Sequence, residues 1–283
     1  MSILVPETKP PARPSLRELA DPAQLTPAEE AVNLRSRILY LRSYLLMRTI
    51  IGFMGITLPI LLIVGDNLLD PTPEVSVRGS LSGYYYSGMR DVFVGSVVAI
   101  GVFLITYKVF ERSLNNLLSV VAGLAAMTVA FLPTSRPDGG PKALQVALTP
   151  IQERFGEVAV AHVHYAAAAV FILSLAIISF FFGLQEGRRS PQRVGRQAML
   201  PPNFWRWFHW FNALVIVGAV AFMVISRSRG MFTTYSLLIG QIVAIVAFGL
   251  SWITKGLELD VLLGSGPARR RWRREREVAA QNP

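Results

Sequence analysis

Apolar residues in this chain come in long blocks, separated by short polar stretches. The blocks run from Tyr44 to Val64, Asp91 to Phe110, Asn115 to Leu132, His162 to Gly183, Phe208 to Ile225 and Tyr235 to Thr254. Each is near the ~20 residues that an α-helix needs to cross ~30 Å of hydrocarbon. A soluble helix would instead show charged residues along one face at helical period. The pattern predicts an all-α fold: an integral membrane bundle of six transmembrane helices. The second and third blocks are joined only by Glu111 to Leu114, and Pro133 stops the third. These two are expected to form an antiparallel hairpin.

The polar stretches divide the chain into a cytoplasmic tail (1–40), the transmembrane domain (41–258) and a basic cytoplasmic tail (259–283). The first tail is rich in proline (Pro6, Pro10, Pro11, Pro14) and reads as mobile. Within it Thr26 and Pro27 carry a helix-start signal, an N-cap followed by proline at the first helical position. No apolar run precedes residue 44, so the first span is expected to serve as an uncleaved insertion signal.

Charge then sets the orientation. The chain holds 28 Lys and Arg and a net charge of +10. With the N-terminus inside, only Arg78, Arg90, Arg136, Lys142, Arg154, Arg227 and Arg229 fall outside, and acids balance them there. The whole excess lies inside, so the positive-inside rule puts both termini in the cytoplasm. The run Ala268 to Arg276 reads as a flank lying on anionic headgroups, which makes membrane lipids rather than nucleic acid the expected partner. The expected location is the plasma membrane of a bacterium. The aromatic run Phe204 to Phe211, broken only by Arg206 and His209, suits an interfacial belt. With no cysteine in the chain, disulfides and thiolate metal sites are excluded.

Ionisable residues beside the spans are candidates for function because charge in lipid is costly. On the outer side these are Tyr84, Tyr86, Arg90 and Asp91 before the second span, His162 and His164 at the fourth, and Gln241 in the sixth. On the inner side they are Lys108, Glu111, His209 and Lys255. Asp91 reads either as a helix N-cap or as a carboxylate paired with His164. His162 and His164 lie two apart, so on a regular helix they face opposite ways. His209 belongs to the other membrane face, which argues against a three-histidine zinc site. Gly95, Gly101 and Gly123 read as packing glycines.

The run Tyr84 to Gly95 (YYYSGMRDVFVG) and its continuation through Lys108 resemble a set of uncharacterised bacterial six-helix membrane proteins, a domain of unknown function. So do Phe131 to Thr134, His162 to Ala168 and Ala247 to Gly256. The resemblance covers about residues 40 to 256; in such proteins a glutamate often stands where this chain has Gln241. A weaker resemblance is to the alkaline-ceramidase-like membrane hydrolases, through Ser87, Asp91, His162 and His164. It implies zinc, with Asp91 and His164 as ligands, but the paired histidines four apart on a late helix are absent. The main expectation is a multi-pass protein without a cofactor, whose outward polar pocket takes a lipid headgroup or small ligand. The alternative is a metal-dependent lipid amidase or esterase at the outer leaflet.

Overall fold

The computed structural model describes residues 27–69, 77–106, 114–136, 147–189, 203–232 and 234–264. Every regular element among them is helical. In order they are α1 (Pro27–Leu69), a 3₁₀ turn (Ser82–Tyr86), α2 (Arg90–Thr106), α3 (Leu114–Phe131), α4 (Pro150–Phe155), α5 (Glu157–Arg189), α6 (Phe204–Ser228) and α7 (Ser236–Gly264). The first 26 residues, Lys108, Glu111 and the basic run Ala268 to Arg276 lie outside the described residues. The chain divides into two units, Met1–Tyr44 and Leu45–Pro283. The second unit holds the membrane bundle and every candidate residue named from sequence.

Four helices are long and apolar enough to cross a membrane: Leu46–Leu69 in α1, Glu157–Glu186 in α5, Phe204–Ser228 in α6 and Ser236–Lys255 in α7. The second and third blocks form shorter helices, α2 of 17 residues and α3 of 18. They pack on each other, as the short connection requires. Further pairs are α3 with α5, α5 with α6, and α6 and α5 with α7. The elements also differ from the sequence pattern. Helix α1 begins at Pro27, the position its start signal marks, and runs through into the apolar block. Helix α5 begins at Glu157, before the apolar block opens, so both histidines lie inside a regular helix. Helix α4 has no apolar block and was not expected. It is made by a local device: Thr149 and Gln152 form a capping box and Pro150 opens the helix, which satisfies free backbone N–H groups at the start.

Many side chains that face outward in the spans are apolar, among them Phe53, Leu61, Val163, Phe180, Leu214, Val224 and Leu250. Inside the bundle the closest contacts fall on glycine. A Cβ at Gly249 would lie 2.6 Å from the Gly52 carbonyl oxygen, and one at Gly52 would lie 2.7 Å from that of Gly249. Backbone therefore meets backbone between α1 and α7, as in membrane helix pairs held by van der Waals contact. Gly101 and Gly123 make the same contact between α2 and α3, as expected for packing glycines. Gly95 does not: nothing lies within 4 Å of its Cβ direction.

Candidate functional site

Polar side chains gather at both ends of the bundle. At one end residues 78–90 cross the helix tips between α1 and α2. Arg78 is paired with Asp66 at the end of α1, Nε to Oδ2 2.8 Å. The Leu81 N–H donates to Gln241 Oε1 at 2.7 Å, and the Leu238 N–H donates to the Gly79 carbonyl at 2.9 Å. These two bonds stitch the segment to α7. Tyr86 donates to the Thr134 carbonyl at 2.5 Å and accepts from Gln152 Nε2 at 2.7 Å, which ties it to α3 and α4. Burial pushes the phenols of Tyr84 and Tyr86 above the usual tyrosine range, so both stay neutral. Burial disfavours the charged form of a phenol.

His164 is 1% exposed and lies beneath this segment. Its Nδ1 is 2.6 Å from the Leu132 carbonyl oxygen, and its Nε2 is 2.9 Å from Ser82 Oγ. A carbonyl only accepts, so Nδ1 carries the proton and Nε2 of the neutral ring accepts from the Ser82 hydroxyl. Leu132 has this carbonyl to spare because α3 ends at Phe131 and Pro133 follows; the last carbonyls of a helix lack intrahelical donors.

The outer candidates named from sequence therefore separate. Tyr86 and Gln241 hold the segment in place, and Tyr84 is buried within it. His164 engages Ser82 and Leu132. Two apart on a regular helix, His162 is exposed while His164 is buried. Asp91 is exposed, and no hydrogen bond or ion pair joins it to His164, so the expected Asp91–His164 pairing is not formed. Nor is Asp91 the helix cap. The Ser87 hydroxyl accepts the Met89 N–H at 3.1 Å, just ahead of α2, while Asp91 sits in the first turn, where it favours the helix dipole. Arg90 is exposed and has no acid partner among the described residues; it donates to Tyr85 Oη at 2.6 Å and lies 4.3 Å from the centre of that ring.

The opposite end of the bundle is more strongly charged. Lys255 on α7 donates to Glu186 on α5, and each side chain is 2% exposed. Arg48 on α1 is also buried, its guanidinium 4.9 Å from the Phe182 ring centre and 5.6 Å from that of Trp252. His209 on α6 is fully buried, with Nδ1 2.7 Å from Ser251 Oγ, and its ring meets Phe182 edge-on. Phe182 touches His209 and lies 18 residues beyond His164 on α5, about 27 Å at helical rise. The histidines thus serve two separate ends, and a three-histidine site is not formed. Among the described residues no group of three His, Asp or Glu is placed to hold a metal.

Sequence reasoning named His209 and Lys255 but missed Glu186 and Arg48. The signal was available: an acid and two bases sit near the same end of apolar helices, at matching depth. Ser82 was missed because a serine beside three tyrosines carries no spacing signature.

Apolar spans, outward-facing aliphatic residues and buried ionic groups define the class: a helical membrane protein. Compared with protein-family models, curated proteins and solved structures, the chain matches none.

Proposed function

We propose that this is a six-span plasma-membrane protein, with both termini in the cytoplasm, whose outer end binds an anionic lipid headgroup. Helices α2 and α3 make the second and third spans as a short hairpin packed against α5. The observation that carries the ligand is Arg90. Its guanidinium faces outward, no carboxylate among the described residues neutralises it, and the Tyr85 ring and hydroxyl fix its direction. A guanidinium held in this way presents its remaining donors to a phosphate without first losing its own rotamer freedom.

Arg90→Ala is expected to lower the retention of phosphatidylglycerol about fivefold, since an arginine near a membrane surface contributes roughly 1 kcal/mol. Native mass spectrometry of the detergent-released protein reads this. Arg227→Ala, at an exposed residue of the same end without a stacking partner among the described residues, is expected to lower retention less than Arg90→Ala, since its side chain loses rotamer freedom on binding. Equal retention by wild type and Arg90→Ala removes this reading.

Orientation has its own check. Reporter fusions after Arg189 and at the C-terminus are expected to report cytoplasm, and fusions near Gly79 and Gly139 the exterior. The motivation is the one-sided excess of basic residues. An exterior signal from the C-terminus means an odd number of spans and overturns the topology.

A further inference from the structure

We propose that Ser82 and His164 form a catalytic dyad for acyl transfer, acting on ester bonds of membrane lipids; the lipid part rests on the headgroup reading above. The parts are in place without a metal. Ser82 Oγ is 2.9 Å from His164 Nε2, within the reach a general base needs to take a hydroxyl proton. His164 Nδ1–H is held at 2.6 Å by the Leu132 carbonyl, which fixes the tautomer that leaves Nε2 free to accept. That carbonyl closes α3, so the negative end of the helix dipole faces the imidazole. Both features offset part of the cost that burial places on the imidazolium that forms when the serine proton moves. They hold the ring in the tautomer and orientation that a carboxylate sets in serine hydrolases.

The step balances with water as the second reactant. Ser82 Oγ bonds to the acyl carbon while its proton passes to His164 Nε2. The ester C–O bond then breaks and the departing alkoxide takes that proton. Water next adds to the acyl-serine, giving one proton to His164, and the carboxylic acid leaves as that proton returns to Ser82 Oγ.

Depth selects the substrate. Glu157, paired with Arg136 at 3.0 Å, opens the α5 span, and His164 lies seven residues further, about 10 Å along the helix. With that charged pair among the headgroups, His164 stands at the boundary where the ester carbonyls of a phospholipid lie. Ser82 is 5% exposed, so a lipid reaches Oγ when the side chains covering it turn aside while the backbone stitched by Gln241 and the Leu238 N–H stays in place.

The test uses the full-length protein in nanodiscs and fluorophosphonate probes with short and long alkyl chains. Peptide mass spectrometry is expected to place the adduct on Ser82 and not on Ser80 or Ser87. His164→Gln is expected to slow labelling at least about a hundredfold, the lower range for loss of a general base. The long-chain probe is expected to react faster than the short one, and the short-chain probe, which carries no headgroup, is expected to label wild-type Ser82 by itself, which separates failure of headgroup binding from failure of the dyad. No adduct on Ser82 in the folded wild type overturns the proposal, with no variant needed. So does labelling shared equally with Ser80 and Ser87, or labelling unaffected by His164→Gln. Equal rates with the two probes overturn the lipid assignment.

Discussion

Glu186→Leu or Lys255→Met alone is expected to lower the unfolding free energy by roughly 3–5 kcal/mol, the cost of breaking a buried ion pair by removing one member. The two side chains are 2% exposed and join α5 to α7, so neither water nor lipid headgroups can replace the missing charge. The double variant is expected to recover part of the loss, since Arg48 stays buried beside the same Phe182 ring. Two apolar side chains of similar size remove both desolvation penalties together with the attraction, and such exchanges are often neutral. Reversible unfolding in mixed micelles, followed by tryptophan fluorescence, measures all three; Trp252 lies against the cluster and reports it directly. Single variants within about 1 kcal/mol of wild type would show that water reaches the pair.

Gly249→Leu is the second large effect. Its new Cβ would meet the Gly52 carbonyl oxygen at 2.6 Å and Ile56 Cγ1 at 2.7 Å. Ile56 can turn aside, but the carbonyl belongs to the ladder of α1 and cannot. The two helices must separate, and every contact along their seam weakens. A loss of about 1–3 kcal/mol is the ordinary cost of overpacking, and backbone contact puts this site at the upper end. Gly95→Leu is the matched comparison: nothing stands within 4 Å of its Cβ, so a change of no more than about 0.5 kcal/mol is expected. Equal changes at the two positions would mean that the α1–α7 approach does not decide the outcome.

These two sites differ in how far the sequence discloses them. Apolar blocks reveal helices because transfer to lipid depends on summed hydropathy, a local property. Hence α5, α6 and α7 lie where the blocks lie. Helix ends are set by caps and loops instead, and α5 extends past its block at both ends. The fate of each ionisable residue depends on what folds against it. Asp91 and Arg90 are neighbours in sequence beside a span, and nothing local says that both stay exposed while His164 is covered. The partner of His164 is a backbone carbonyl, freed because Pro133 follows the end of α3. Such an acceptor has no side-chain identity to read. Ser82 and His164 are brought together by the stitching of residues 79–81 to α7, through Gln241 and the Leu238 N–H. That tie is a property of topology. Glycine shows the same limit: Gly101 and Gly123 touch a neighbouring helix and Gly95 does not, although all three sit in apolar surroundings.

The Glu186–Lys255 pair also constrains biogenesis. Ribosomes deliver α1 first, then α5, and α7 last, so Arg48 and Glu186 enter the bilayer before Lys255 exists. An ionised side chain at the centre of an inserting helix costs roughly 2.5–3.5 kcal/mol, and less near the helix end, where it reaches toward the surface. Until α7 arrives, Glu186 lacks its contact with Lys255. Arrival of α7 completes that pair beside Phe182 and Trp252. This end of the bundle therefore closes only with α7, and insertion of α1 and α5 leaves it open.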